Sequence, residues 1–161
     1  DAGTPRVLPR RIAFNCIPEV DALGEGGETD QEAALPVELR RALGLPDLAV
    51  SAALVRVPVF FGHSWVVRLR LSRTLTVAQA LEILGSTHGL VLEAPGEDGT
   101  PGGYPTAVTE AADTDGVYLG RLRADTTRTG GLAFWLVADN VRAGVAVPCV
   151  QVAEAMVARR W

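Results

Sequence analysis

No lysine occurs among the 161 residues; all fifteen basic side chains are arginine. A lysine Schiff base and the lysine-dependent Walker phosphate loop are therefore beyond what this chain can supply. Sulfur is scarce too. Cys16 and Cys149 lie far apart and form no C-x-x-C pair, so neither a zinc site nor a disulfide framework is signalled; no metal ligands are expected, and a reducing cytoplasm is the expected setting. The one methionine is Met156, from which the chain reads as processed, excised or incompletely observed, and the opening DAGTPRVLPRR has no apolar run to serve as a secretory signal. No apolar stretch approaches the roughly 18 residues of a membrane span, so no membrane partner is expected. A net charge of -4 and a pI near 5.2 argue against a broad nucleic-acid surface, which needs a basic face to displace counterions.

What is present is 48% hydrophobic and 21% charged, enough for one compact domain with a core that needs neither disulfide nor metal. Residues 11–17, RIAFNCI, are rich in strand formers and lead into the Gly-rich acidic ALGEGGE. Thr29 and Glu32 stand at capping-box spacing and predict a helix to about Ala42, stopped by Gly44 and Pro46, with Pro36 kinking or dividing it. Residues 48–57 and 64–71 read as strands, the second alternating Val67, Leu69 and Leu71 with Arg68 and Arg70. Thr76 and Gln79 open a second helix ending near Gly85, and VLE makes a short strand. EAPGEDGTPGGYP is a polar loop expected to be mobile. GVYLGRLR and GLAFWLVAD flank a turn near Thr129, and a last helix spans about 144–158. The order predicts an α+β fold, with a mixed, largely antiparallel sheet and helices mainly on one face.

The segment RVPVFFGHS, Arg56 to Ser64, holds the chemistry. In an unbroken strand, residues seven apart point to opposite faces, so Arg56 and His63 can act together only if the chain bends. Pro58 and Gly62 are the residues that would bend it. Arg56 follows apolar AALV and must find an anion, either a structural ion-pair partner or a bound carboxylate, which its planar fork matches in two bonds. His63, between Gly62 and Ser64, reads either as a loop-fixing histidine or, with Arg56, as a proton-transfer group. Cys149 stands at a helix start, where a thiolate is favoured, but its apolar neighbours make it a packed residue; Cys16 reads the same way. His88 reads as a plain loop residue. Phe134 and Trp135 read as divided between core and an interface, and Asp139 and Asn140 as a turn and helix cap.

RIAFNCIPEVD, VRVPVFFGHS, YPTAV, VYLGRLR and WLVADNVRAGVA occur in an order and spacing that resembles the C-terminal, substrate-binding part of the aspartate-semialdehyde dehydrogenases, from about Arg11 to Val157. That resemblance implies the C-terminal fold shared with glyceraldehyde-3-phosphate dehydrogenase. It also implies NADPH-dependent reduction of aspartyl phosphate to the semialdehyde, in amino-acid biosynthesis, through a thioester on a cysteine. In the family, an N-terminal nucleotide-binding half carries that cysteine and a glycine-rich loop, so neither Cys16 nor Cys149 is the implied nucleophile. The implied organisation is a substrate-binding and dimerisation domain over 1–141 and a terminal helix over 142–161 that packs back on the nucleotide domain. A homodimer is the implied assembly.

By position, Arg56 matches the arginine that grips the substrate carboxylate, and His63 matches the acid/base histidine. Gln31 and Ala34 stand where the family has a substrate-binding glutamate and a lysine directed at the phosphate. Gly144 and Gln151 match the cofactor side, whereas Pro148 replaces the asparagine that contacts the nicotinamide end of NADP. Two functions follow from the resemblance. One is an enzyme part, inactive until joined to its N-terminal half; the other is a degenerate paralogue that keeps only a dimerisation or structural role.

Overall fold

Thr29 and Glu32 start the first helix as their spacing predicts. The computed structural model describes residues 7–93 and 103–160, and the chain divides into two compact units, Asp1–Pro58 and Val59–Trp161. In the first unit, helix α1 spans Asp30–Leu43. The Thr29 hydroxyl accepts the Glu32 N–H at 3.3 Å, and the Glu32 carboxylate accepts the Thr29 N–H at 2.9 Å. Gly44 ends the helix at φ 65, and its N–H and that of Leu45 donate to the carbonyls of Arg41 and Arg40. Pro36 does not divide α1, contrary to one of the two outcomes its position suggests: helix continues through it. Caps at both ends secure the turns that its missing N–H weakens.

Two expected strands are absent. Residues 11–17 and 48–57 meet only in an isolated antiparallel bridge, Ile17 to Arg56, with N–H to carbonyl distances of 2.9 and 2.8 Å. The reason lies in Phe14 and Asn15. Phe14 is left-handed at φ 58, the Asn15 N–H donates to the Ile12 carbonyl, and the Asn15 side chain accepts the Cys16 N–H. Such local bonds turn the chain away from an extended path.

The second unit is built on a four-stranded sheet, β1 (His63–Arg70), β2 (Leu90–Leu92), β3 (Val117–Asp125) and β4 (Gly131–Ala138), in the order β1-β4-β3-β2. Only the β2–β3 pair is parallel, so the sheet is mixed and largely antiparallel, the α+β arrangement expected. Helix α2 (Val77–Gly85) starts at a Thr76–Gln79 capping box and packs against β2 and β3. Along β1, Val67 and Leu69 are half-buried while Arg68 and Arg70 are exposed, as their alternation predicts. β4 is covered on both faces: Leu132, Ala133, Val137 and Ala138 are all buried. A π-helical turn, Ala107–Ala111, packs Ala107 and Ala111 on Val137, with Tyr118 and Trp135 beside them. Trp135 therefore belongs to the core, and its indole N–H donates to the Pro105 carbonyl at 2.6 Å. Beside it, Gly120 must be glycine, because a Cβ there would stand 2.1 Å from the Gly103 carbonyl oxygen. Residues 94–102 of the loop read as mobile lie outside the described residues.

The last helix differs from expectation at its start. A π-helical turn spans Arg142–Ala146 and passes into helix α3, Val147–Ala158, with Pro148 in the first turn. Asp139 sets that entry, capping the turn as its sequence suggests. One carboxylate oxygen accepts the N–H groups of Val141 and Arg142 at 2.8 and 2.7 Å, and the other accepts the Asp113 N–H at 2.9 Å. No residue of α3 is buried.

At the same end of the sheet, just before β1, Gly62 has φ +85, and a Cβ there would lie 2.8 Å from the Ala107 Cβ and 3.1 Å from the Ala138 oxygen. Gly62→Ala is therefore expected to destabilise the fold by about 2 kcal/mol or more, read as a lower urea midpoint at unchanged slope. The Asp139 carboxyl is held below the usual carboxylate range, first by the Arg142 N–H, then by those of Asp113 and Val141 and by the Arg142 guanidinium, against an opposing effect of burial. A native value below the unfolded one, about 3.9, means the stabilisation is complete above that pH and is lost as pH falls through the native value. Asp139→Asn should thus be less stable than the parent at pH 7, with the gap closing below about pH 4, measured by urea unfolding followed through tryptophan fluorescence.

Candidate active site

In the first unit, Arg56 and Gln31 are held by adjacent residues. The Arg56 guanidinium donates to the Val20 carbonyl, while the Gln31 N–H donates to the Asp21 carboxylate at 3.3 Å. Glu32, next to Gln31 in the first turn of α1, accepts the Leu54 N–H at 2.6 Å, which ties the helix start to the segment that carries Arg56. Its carboxyl is held below the ordinary range, first by the Thr29 N–H and then by that of Leu54, so it stays an acceptor as pH falls. The bridge to Ile17 fixes the Arg56 backbone from the other side.

Arg56 makes no ion pair among the described residues; the only ones there join Arg142 to Asp113 and Asp115. Of the two partners its sequence context allowed, a structural carboxylate is thus not the one found. An exposed guanidinium steered by one carbonyl keeps donors free for an incoming anion. The Gln31 side chain is exposed, and Ala34 is exposed one turn further along α1. Asp21 and Val20 were missed as supporting residues, because a carbonyl and a loop carboxylate give no sequence signal of what they hold. The Asp21 Oδ1 atom is enclosed without a hydrogen-bond partner among the described residues.

In the second unit, His63 is the first residue of β1, opposite Ala138. The bend inferred from Pro58 and Gly62 is present: the chain bends at Pro58, Phe60 and Phe61, and Gly62 turns left-handed before the strand begins. The imidazole is exposed and stands edge-on to the Trp65 ring, with centroids 5.5 Å apart and planes at 86°. It makes no hydrogen bond within the described residues, which leaves both ring nitrogens able to exchange protons with a ligand. Gly144 belongs to the same end of the sheet through its N–H, which donates to the Asp139 carbonyl at 3.0 Å. Among the described residues outside its own helical turn, only that carbonyl oxygen, at 3.6 Å, lies near where a Gly144 Cβ would stand, so the surroundings there are open. Gln151 is exposed on α3.

Both cysteines depart from expectation. Cys16 and Cys149 are exposed rather than packed, because α3 buries nothing within this chain and Cys16 follows the turn at Phe14 and Asn15. Among the described residues, no cluster of histidine, cysteine and carboxylate side chains is arranged to hold a metal ion, and no helix is long and apolar enough to cross a membrane.

Residues 1–143 match the family described as semialdehyde dehydrogenase, dimerisation domain. An aspartate-semialdehyde dehydrogenase of Shewanella sp. (strain DB6705) is 38% identical over 153 residues, covering 95% of this chain and 44% of that protein. One from Corynebacterium melassecola is 40% identical over 163 residues, covering 98% and 44%. The crystal structure of aspartate semialdehyde dehydrogenase II from Vibrio cholerae superposes with a TM-score of 0.90 at 35% identity, over 98% of this chain and 45% of that one. The chain thus spans less than half the length of the proteins it matches. With its mixed sheet, its Arg56 and His63 segment and a match over most of its length, the chain belongs to the semialdehyde dehydrogenase dimerisation-domain family.

Proposed function

We propose that residues 1–141 are the substrate-binding and dimerisation domain of an aspartate-semialdehyde dehydrogenase, and that residues 142–161 pack back on a nucleotide-binding half of the same polypeptide. The reaction is NADPH-dependent reduction of aspartyl phosphate to aspartate semialdehyde, in a cytoplasmic homodimer. The relatives' names and the dimerisation-domain match support this reading. The observation that carries it is Arg56: an exposed guanidinium, oriented by the Val20 carbonyl and free of any carboxylate among the described residues.

In this reading Arg56 binds the substrate carboxylate through two N–H groups and fixes the acyl carbon relative to the attacking group. His63 accepts the proton of the thiol that attacks the acyl carbon as the C–O bond to phosphate breaks and phosphate leaves, and after hydride transfer it returns a proton to the sulfur as the C–S bond breaks and the semialdehyde leaves. Gln31 contacts the substrate from the first turn of α1. Gly144 and Gln151 are this chain's share of the cofactor site: the open surroundings of Gly144 admit a ligand against the backbone, and Gln151 offers an exposed amide. NADPH, when bound, supplies the hydride. Pro148 has no N–H or polar side chain to add.

The complete polypeptide, given aspartate semialdehyde, phosphate and NADP, is expected to produce NADPH absorbance. His63→Ala should lower kcat by about a hundredfold or more. Arg56→Lys should raise KM about tenfold, close to 1.4 kcal/mol, because the ammonium cannot form the paired bonds. No turnover above the His63→Ala control would reject the assignment.

A second reading is supported by Gln31, Ala34 and Pro148, where the charged or polar contacts that the resemblance implies are gone: a degenerate paralogue retaining dimerisation alone. It expects a stable homodimer in solution and no heat of NADPH binding. Micromolar binding by the complete protein would exclude it.

A further inference from the structure

The His63 imidazole is exposed and, among the described residues, has no hydrogen bond to its ring that would set its orientation. Three features of the second unit bear on it. The Asn140 Oδ1 atom accepts the Gly62 N–H at 2.9 Å, across 78 residues of sequence. A backbone N–H can only donate, so the amide must present its oxygen, and its assignment is not open to a flip. Gly62 is left-handed, and its α-carbon is seated so closely between Ala107 and the Ala138 carbonyl that no other residue fits. His63 follows at once, entering the sheet opposite Ala138 and meeting the Trp65 ring edge-on.

Asn140 is itself held. Asp139 accepts the N–H groups on its far side, from Val141 and Arg142, and a third from Asp113, so the backbone carrying Asn140 has little freedom. A chain of contacts runs from that cap through the Asn140 amide to Gly62, and from Gly62 to the imidazole. Without the amide oxygen, a partly enclosed N–H loses its partner at the point where the strand begins. The first residue of a strand then frays most readily, and here that residue is His63.

We infer that Asn140 is the positioning residue for His63, acting through Gly62 rather than by touching substrate. Its importance for turnover rests on the acid/base reading of His63; its effect on the imidazole does not. The test uses the complete polypeptide with 13C-labelled histidine and protonated tryptophan. The parent should show a cross-relaxation peak between the His63 and Trp65 rings, with His88, in a separate loop, as the internal reference. Asn140→Ala should abolish that peak and narrow the His63 resonance, while His88 stays in place. Asn140→Asp, which keeps an acceptor oxygen at the same reach, should restore the contact.

In turnover, Asn140→Ala is expected to lower kcat about tenfold with KM changed less than about twofold, since a displaced general base slows the chemical step more than binding. Should Asn140→Ala fail to fold, Asn140→Ser, whose shorter side chain falls short of Gly62, carries the same expectation. A His63–Trp65 contact unchanged in the folded Ala or Ser variant would overturn the proposal. If the contact is lost but His63→Ala leaves turnover intact, the positioning role stands and the acid/base reading falls.

Discussion

The end of β4 is the point on which the second unit depends. Asp139 is buried, and it commits both carboxylate oxygens to backbone N–H groups from two separate stretches of chain. A carboxylate so placed satisfies donors that no helix or ladder would reach, and leaving them unpaired would penalise the fold more than the bonds themselves stabilise it. Three consecutive residues then divide the work. Ala138 closes the register with His63, Asp139 caps the turn into α3, and Asn140 reaches back to Gly62. The histidine and Gly144 are therefore positioned by one short piece of backbone, not by two independent elements.

The first unit shows the same economy with different residues. Glu32 closes a capping box on Thr29 and also accepts the Leu54 N–H, so one carboxylate fixes both the helix start and the approach to Arg56. Val20 and Asp21 then hold the guanidinium and the Gln31 amide from neighbouring positions. Neither arrangement needs a long strand. A single bridge between Ile17 and Arg56, backed by side chains that cap and pin, gives enough rigidity to aim one arginine.

What was legible in the sequence was local. Capping boxes at Thr29 and Thr76, the Gly44 stop, the β1 alternation and the bend at Gly62 all depend on residues within a few positions of one another, and each is present. The strands expected at 11–17 and 48–57 failed because propensity for extended structure does not supply a pairing partner, and a single asparagine side chain diverted the first of them. Of the two outcomes Pro36 suggests, division of the helix does not occur, since a breaker is tolerated where strong caps secure both ends. Arg56 and His63 could be singled out from their setting, whereas Val20, Asp21 and Asn140 could not. Their roles come from contacts that span 10 to 78 residues, which no spacing rule encodes.

The three departures from the implied pattern have a property in common: none is demanded by the fold. Gln31 engages Asp21 through its backbone N–H, which any residue but proline offers; Ala34 is exposed on α1; and Pro148 sits in the first turn of α3, where a missing N–H goes unnoticed. Their identities therefore weigh little on stability, and in the proposed reading they bear on ligand binding instead. The resemblance puts a phosphate-directed lysine at position 34, and such a cation near a doubly charged phosphoryl group is an attraction of about 4 kcal/mol at 4 Å and an effective dielectric near 20. Its absence, with no lysine elsewhere in the chain, shifts that burden to arginines or to other parts of the polypeptide. Arg56 and His63, by contrast, stand within hydrogen-bonded frames that the rest of each unit maintains. In the proposed reading those two frames serve, each in its own unit, to orient a carboxylate and to move a proton, and the two functional readings part over how the phosphate and the cofactor are held.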